Sequence, residues 1–327
     1  MAAKVNTVTG PVSADKLGKT LIHEHIIFGY PGWYGDMTMA PFDRKAVVEE
    51  AVAVMKEIQE FGVTTFVDAT PNECGRDPEL LKEVAEKSGI NIICSSGYYF
   101  EGEGAPAYFK FRSQLVDAGS EIYEMFMKEI TEGIGTTGIK AGVIKLASSE
   151  NCITDYEKMF FLAAARAHKE TGVPIITHTQ HGTMGPEQAE LLVSEGVNPK
   201  NIMIGHMSDN TDIRYHLNTM KHGVFISFDR MGIQVIAGCP YDSEKYPVII
   251  GLIGGGYADR IMISHDYVIH WLGRPLDIPE EISKPLIGNW HPTHLFKNII
   301  PVLKKGGVTD EQINTIVVGN PKALFGG

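Results

Sequence analysis

The chain has 327 residues, of which 43% are hydrophobic and 21% charged, and its formal net charge is −11. This composition is typical of a globular enzyme with a large core. The negative charge argues against a nucleic-acid partner and gives no support for binding to an anionic membrane, because both require basic faces. The four cysteines form no C-x-x-C pair, and there is neither a secretory leader nor an apolar run of about 18 residues. We therefore expect reduced thiols, a cytoplasmic location and no membrane span.

Short apolar runs rich in Ile, Val, Thr and Phe alternate with amphipathic segments along the chain. The eight runs are 18–28, 62–70, 91–99, 142–148, 173–179, 201–208, 223–229 and 260–266. Continuous apolar runs of this length are typical of buried parallel strands. Length alone would allow two domains, but no linker divides the sequence. The pattern predicts an α/β fold in which residues 1–327 form a single (β/α)8 TIM barrel domain.

Helix start signals support this alternation. Asp43 precedes an apolar stripe at helical spacing, and the pair Thr154 and Glu157 has the spacing of a capping box, as does the pair Thr309 and Gln312. A doubly wound open sheet is the alternative architecture. It usually carries a glycine-rich turn after its first strand, whereas this chain has His-Glu-His there.

Two histidines, His23 and His25, lie two residues apart at the end of the first predicted strand. Strand residues at this spacing share a face, so both imidazoles can point into the barrel and bind one metal, while Glu24 points outward toward the helices. A pair of packed core histidines is the alternative.

Four further polar residues end other predicted strands. Each has an ordinary structural explanation by itself. The lysine could be a paired core residue, the two histidines could be packed core residues, and the aspartate could cap a helix. In a (β/α)8 barrel, however, catalytic residues come from the carboxyl-terminal ends of several strands. The joint pattern therefore predicts a metal site at that mouth, and its remaining members are Lys145, His178, His206 and Asp266.

A protonated lysine beside metal ions would repel them and would be costly to bury. Burial and nearby cations lower the pKa of an amine, and a neutral amine can react with CO2 to form a carbamate. The carbamate is an anionic ligand with two oxygens, able to bridge two metals. We therefore expect Lys145 to be N6-carboxylated.

The chain resembles the phosphotriesterase family of the amidohydrolase superfamily, and most of all its phosphotriesterase-like lactonases. The motifs that carry the resemblance run through the whole chain in family order: TLIHEH (20–25), GVTTFVDAT (62–70), AGVIKLAS (141–148), PIITHT (174–179), IGHMSD (204–209), FDRMG (228–232) and MISHDY (262–267). Together these motifs are very specific for this family.

The resemblance implies a binuclear centre. His23, His25 and Asp266 would hold the more buried metal, and His178 and His206 the more exposed one. Carboxylated Lys145 and a hydroxide would bridge the two ions. That hydroxide would be the nucleophile, with Asp266 taking its proton. The two divalent ions are Zn, Co, Mn or Fe, with Zn favoured, although the ligand set cannot select among them. The resemblance also suggests a homodimer.

Three further residues match family positions less specifically. Tyr99 would orient the substrate beside the metals and is otherwise a strand-end aromatic. Arg230 would bind near the substrate or relay protons, and Asp209 would join that relay or cap a helix. Organophosphate specialists of the family carry a histidine near the Arg230 position. The absence of that histidine here favours a lactonase.

Two other histidines receive structural interpretations. His181 follows His178 by three residues, and we interpret it as a loop residue. His265 precedes Asp266 and therefore faces the opposite side of the strand, where we expect it to pack.

The segment from Tyr267 to Pro292 follows the last strand and is rich in apolar residues. In the family this segment lines the substrate channel, so we expect its apolar side chains, with Trp271 as a substrate-binding residue, to accommodate a hydrophobic tail.

The substrate would be an N-acyl-homoserine lactone or another hydrophobic lactone, with organophosphate triesters as a side activity. Alternatively these residues pack a dimer interface, or Arg274 and Lys284 serve a sugar or phosphorylated lactone. The alternative main substrate is an organophosphate, a carboxylic ester or an amide. The apolar set is Val268, Ile269, Trp271, Leu272, Leu276, Ile278, Leu286 and Trp290.

Overall fold

A computed structural model describes residues 3–39, 41–275 and 277–327. The chain opens with a hairpin, β1 (Lys4–Thr7) and β2 (Gly10–Ser13). All eight predicted strands follow, each inside its predicted run. They are β3 (Lys19–Phe28), β4 (Val63–Asp68), β5 (Asn91–Gly97), β6 (Val143–Ser148), β7 (Ile175–Thr179), β8 (Ile202–Ile204), β9 (Phe225–Phe228) and β10 (Ile261–Ile263). These strands pair in parallel in chain order, which confirms the predicted barrel of alternating strands and helices.

The eighth strand is interrupted, a feature that the apolar run did not predict. After β10 the chain bends and resumes as β11 (Val268–Trp271), which pairs in parallel with β3. At the bend, the Asp266 amide donates to the His23 carbonyl at 3.0 Å and the His25 amide donates to the Tyr267 carbonyl at 2.8 Å. These bonds close the barrel between its last and first strands, and they bring Asp266 beside both histidines.

Helices alternate with the barrel strands in the predicted manner. Asp43 caps α1, and both predicted capping boxes are formed, by Thr154 with Glu157 and by Thr309 with Gln312. The helices are α1 (Arg44–Gln59), α2 (Pro78–Ser88), α3 (Ala107–Ser113), α4 (Ala118–Thr131), α5 (Asp155–Thr171), α6 (Gly185–Ser194), α7 (Ile213–Met220), α8 (Asp242–Gly254), α9 (Glu280–Ile287), α10 (Ile300–Lys305), α11 (Asp310–Asn314) and α12 (Asn320–Gly326), with π-helical turns at Leu295–Ile299 and Thr315–Gly319.

Short 3-10 turns complete the secondary structure at Ala14–Lys16, Trp33–Gly35, Asn72–Cys74, Gln180–Gly182, Pro199–Asn201, Met207–Asp209, Ile236–Gly238 and Ala258–Arg260. Within the described residues, none of the helices combines the length and the apolar character that a membrane crossing requires.

One buried apolar side chain from each barrel strand fills the interior: Ile22, Val67, Ile93, Val143, Ile176, Met203, Phe225 and Met262. The same cluster includes side chains of the amino-terminal segment and of α12, which close this end of the barrel. Strand residues two apart share a face, so Lys145 and His178, two residues beyond Val143 and Ile176, point into the interior above this layer. The polar residues therefore collect at the opposite mouth.

Candidate metal centre and substrate cavity

The six predicted metal ligands all line one cavity of about 610 Å³ at the carboxyl-terminal mouth of the barrel. Lys145 Nζ lies 2.6 Å from His23 Nε2, and the His178 and His206 rings have centroids 4.5 Å apart. His23, His206 and Asp266 each offer a ligand atom, and these atoms lie within 4.8 Å of one another, a spacing suitable for one metal ion. These three residues include ligands of both ions that the resemblance implies. The partition of ligands between two ions therefore stays a prediction.

Each of the four histidines has one ring nitrogen occupied by a neighbouring acceptor. For His23 and His206 the acceptor of the Nδ1 proton is Asp229, at 2.7 and 2.9 Å, and for His178 the acceptor of the Nε2 proton is Gln180 Oε1 at 2.7 Å. His25 Nδ1 lies 2.8 Å from the Thr70 hydroxyl, which donates its own proton to the Ile27 carbonyl. From these bonds we assign the tautomers, which leave a lone pair on the second nitrogen of every ring.

The arrangement of acceptor atoms fits a bound cation. With the tautomers assigned above, the His25 Nε2 lone pair faces Asp266 Oδ1 at 3.0 Å, and the His23 Nε2 lone pair lies 3.6 Å from the same oxygen. Three lone-pair atoms then converge without a proton to share between His25 and the carboxylate. A metal ion placed among them would relieve this repulsion, and imidazole nitrogen with carboxylate oxygen is a common ligand set for Zn²⁺ and related ions.

The charges at the site also suit a metal. Burial lowers the pKa of His23, of His178 and of His206, the last to about 3, so these rings are neutral near pH 7. Burial alone would raise the pKa of Asp266, but the neighbouring imidazoles, His206 first, and Arg230 hold it well below its usual range. Burial lowers the pKa of Lys145 to about 8, which leaves a neutral fraction of its amine at physiological pH.

Asp229, which follows the seventh strand directly within the FDRMG motif, was not predicted from the sequence. Its carboxylate is fully buried and accepts hydrogen bonds from both His23 and His206. Burial by itself would raise the pKa of Asp229, but these two imidazole donors keep it well below its ordinary value. Its position at a strand end, the rule that identified the other ligands, could have identified it.

Two ligands occupy unusual backbone conformations. His206 has φ +55° and Asp266 has φ +54°, in the left-handed region that non-glycine residues seldom adopt. Backbone strain of this kind accumulates at functional sites, where the surrounding structure holds the residue in place. Both residues lie two or three positions beyond a strand, and this conformation turns their side chains toward the cavity floor.

Arg230 joins two carboxylates beside the ligands. Its Nε donates to Asp266 Oδ2 at 3.0 Å and a terminal nitrogen donates to Asp209 Oδ2 at 2.7 Å. Asp209 therefore pairs with Arg230, and Asp212 rather than Asp209 caps α7. A guanidinium does not give up its proton in proteins, so this geometry favours a charge-stabilising and orienting role for Arg230 over proton relay.

The predicted aromatic residues lie at the cavity wall. The Tyr99 ring centroid is 4.9 Å from that of His178, and the Trp271 ring centroid is 5.6 Å from that of Phe28. Burial raises the pKa of Tyr99 well above its usual value, so its hydroxyl stays protonated and can donate a hydrogen bond. Both predicted substrate-binding aromatics therefore line the cavity, and their contact with a substrate stays a prediction.

The segment after the last strand lines the cavity only in part. Val268, Trp271, Leu272, Ile278 and Trp290 are at the cavity, together with Arg274. Ile269 instead packs into the core between sheet and helices, Leu286 is not among the lining residues, and Leu276 lies outside the described residues. Further apolar wall comes from Phe28 at the end of β3 and from the loops after the first and seventh strands, which were not predicted to line it: Tyr30, Trp33, Met39, Ile233 and Ile236.

The structural interpretations of nearby residues agree with the geometry. His181 lies in a loop and pairs with Glu150 at 3.2 Å. His265 Nδ1 lies 2.7 Å from Glu24 Oε1, and its Nε2 accepts from the Leu295 amide. Glu24, which is buried, also accepts from the hydroxyl of Ser264 and from the backbone. It thereby connects the first strand to the segment after the eighth.

Glu73 was also not anticipated. Its Oε1 accepts from the Tyr99 amide at 2.7 Å and so fixes the start of the loop that carries Tyr99. Its Oε2 is buried and has no hydrogen-bond partner among the described residues. Burial raises the pKa of Glu73 to about 7, so the folded protein retains a proton here that an unfolded chain would release at lower pH.

We expect Glu73→Gln to stabilise the protein at high pH. The pKa of this carboxyl rises from 4.5 to about 7 on folding. Between these values the native state binds the extra proton, so this group's contribution to stability falls as pH rises from one to the other. Glutamine removes the charge and keeps the acceptor for Tyr99.

The free energy of unfolding of the variant should exceed that of wild type by at least about 1 kcal/mol at pH 8, or roughly 2 °C in Tm, and by less at pH 5. Thermal melts of both proteins across this range, with exposed Glu132→Gln as control, would measure it; an equal gain at both pH values would contradict it.

A polar cage of neutral histidines, a buried lysine and ionised carboxylates at the mouth of a (β/α)8 barrel defines a metal-dependent hydrolase. The model of the phosphotriesterase family matches residues 3–325, and the chain belongs to this family. An aryldialkylphosphatase of Saccharolobus solfataricus is 38% identical over 325 residues, covering 96% of each chain.

Solved structures agree. An organophosphorus hydrolase from Deinococcus radiodurans superimposes with a TM-score of 0.97 at 54% identity, covering 100% of this chain and 99% of the other. A second structure is described as molecular engineering of organophosphate hydrolysis activity from a weak promiscuous lactonase template. It has the same TM-score and identity and covers 100% of both chains. The resemblance inferred from the sequence motifs is confirmed.

Proposed function

We propose that this protein is a binuclear metal-dependent lactonase that opens lactones with a hydrophobic tail, and that it hydrolyses organophosphate triesters as a side activity. The observation that carries the proposal is the composition of the cavity wall. Above the polar floor, the cavity is lined by aromatic and aliphatic side chains from the first, seventh and eighth loops. A wall of this kind favours an apolar substituent, while the floor addresses a carbonyl or phosphoryl group.

The cations of the cavity give further support. Three lysine or arginine residues line it, and in the described structure two of them are paired with carboxylates: Arg230 with Asp209 and Asp266, and Arg274 with Asp36. Carboxylation would remove the charge of the third, Lys145. A sugar phosphate or phosphorylated lactone would need an uncompensated cation, so this pairing favours a neutral substrate. Lys284 is exposed and does not line the cavity.

His23, His25, His178, His206, Asp266 and carboxylated Lys145 would hold two divalent ions, for which we favour Zn. The ions would supply an activated hydroxide and polarise the acyl oxygen. Tyr99 would donate its hydroxyl proton to the substrate as a hydrogen bond. Asp266, oriented by Arg230, would accept the proton released on attack. It would return this proton to the ring oxygen as the ring C–O bond breaks, leaving a hydroxy acid.

Organophosphate triester hydrolysis is the second candidate for the main activity, because proteins of that description are similar to this chain over nearly its whole length. A substrate panel separates the two. We expect kcat/KM to be higher for at least one acyl-homoserine or simple lactone than for paraoxon or an aryl ester. If paraoxon turnover exceeded that of every lactone, the lactonase assignment would be wrong. The same assay with an amide substrate tests the remaining alternative.

A further inference from the structure

The loops after the first and eighth strands leave the barrel side by side. The first loop comprises residues 29–39 and 41–43, and the eighth comprises 272–275 and 277–279. Strands β3 and β11 pair as far as Phe28 and Trp271, and the Leu272 amide then donates to the Phe28 carbonyl at 2.7 Å. Beyond this point, no further backbone hydrogen bond joins the described parts of the two loops. Beyond it, side-chain contacts connect the two segments.

The two loops both contribute to the wall of the substrate cavity. Tyr30 and Trp33 line it from the first loop, and Leu272 and Ile278 line it from the eighth. The Tyr30 and Trp271 rings are stacked with centroids 6.2 Å apart. A flexible apolar tail whose reacting group sits at the polar floor would extend along these walls toward solvent.

An ion pair connects the two loops at the outer end of these walls. Arg274 donates from Nε to Asp36 Oδ2 at 2.6 Å and from a terminal nitrogen to Asp36 Oδ1 at 3.3 Å. Both side chains line the cavity, yet Arg274 is 68% and Asp36 33% exposed, whereas Lys145 at the floor is 2% exposed. This gradient of exposure places the pair at the solvent end.

Thr38 orders the pair from the first loop. Its amide and hydroxyl both donate to Asp36 Oδ1, at 3.2 and 2.6 Å, and its hydroxyl also contacts the Arg274 guanidinium. These hydrogen bonds from Arg274 and Thr38 lower the pKa of Asp36, so the carboxylate remains charged near pH 7. The contact is thus a charged bridge with several donors rather than a single contact between two mobile side chains.

We propose that the Arg274–Asp36 pair is a specificity determinant that limits the length of the substrate tail. This inference rests on the proposed function for its substrate class. A short tail ends between the apolar walls, whereas a longer one must pass a charged pair, and burying that pair against methylene groups would cost part of its hydration. Because an exposed ion pair contributes little to folding, its removal should alter specificity without unfolding the protein.

The expected result is a break in the dependence of binding and kcat/KM on tail length. Each methylene buried between the walls should improve binding and kcat/KM by about fourfold. In wild type this gain should stop once the tail reaches the pair. In Arg274→Ala the gain should continue to longer tails, so that the ratio of long-tail to short-tail kcat/KM rises by about fourfold for each further methylene accommodated.

The experiment has two arms on the metal-loaded protein. Calorimetry gives dissociation constants for straight-chain primary carboxamides of increasing length, and turnover assays use acyl-homoserine lactones with the same tails. Lys284→Ala, which removes an exposed cation outside the cavity, is the matched control and should retain the wild-type break. The double variant Asp36→Arg with Arg274→Asp restores an ion pair in reversed order and should restore the break.

The outcomes separate the role of the ion pair in limiting tail length from the proposed lactonase function. A length profile without a break in wild type, or an unchanged break in Arg274→Ala, would overturn the role of the pair. Failure of the reversed pair to restore the break would also overturn it. A break that shifts in the binding arm while no lactone is hydrolysed would leave the ion pair as a length determinant and would refute the lactonase function instead.

Discussion

Lys145→Ala should lose most hydrolytic activity and bind less metal than wild type. The side chain is 2% exposed, and its amine lies 2.6 Å from His23 Nε2 at the cavity floor. Alanine removes the group that would become the bridging carbamate. Loss of residues that merely orient metal ligands costs about 10–100-fold in affinity or activity, so the loss of a ligand itself should reduce kcat/KM by at least about a hundredfold.

Chemical rescue makes this prediction specific to the carbamate. Acetate or propionate added to Lys145→Ala could occupy the space left by the side chain and supply two oxygens, so part of the activity should return. Elemental analysis gives the metal content before and after. Lys19→Ala is the control, because Lys19 begins β3 at the end of the barrel opposite the cavity. This variant should keep the metal content and the turnover of wild type. Two metals per chain with full activity in Lys145→Ala would refute the bridging role.

Asp229→Asn should weaken metal binding although Asp229 is not itself a predicted ligand. Its two oxygens accept the Nδ1 protons of His23 and His206. Asparagine offers one acceptor and one NH2 donor, so one imidazole must turn its Nδ1 lone pair toward the amide. That ring then carries its proton on Nε2, where a metal would bind. We expect metal affinity and kcat/KM to fall by about 10–100-fold.

Competition with a chelator measures this affinity, and thermal melts of the metal-free proteins test whether the fold is intact. Asp117→Asn is the matched control, because Asp117 caps α4 at the surface and asparagine is an equally good cap. It should bind metal as wild type does. Wild-type affinity in Asp229→Asn would show that the two hydrogen bonds do not select the tautomers.

The sequence determined the order of the elements and the members of the site. Hydrophobic periodicity and capping residues act over a few neighbours, so the eight strands and the capping boxes that begin α5 and α11 could be located without knowledge of the fold. A barrel also places all strand ends at one mouth. Polar residues predicted at strand ends, such as Lys145 and His178, were therefore expected to meet. They do line one cavity, although Lys145 lies inside β6 rather than at its end.

The tertiary structure decided how these residues are held. Asp229 meets His23 across 206 positions of sequence, and Glu24 connects the first strand to the segment after the eighth. Such contacts depend on the closure of the barrel and on the bend after β10, and neither leaves a local pattern in the sequence. The cavity wall likewise depends on which loops lie side by side. Sequence periodicity identified the eighth segment as apolar, but only the pairing of β11 with β3 brought Arg274 to Asp36 and the first loop to the substrate cavity.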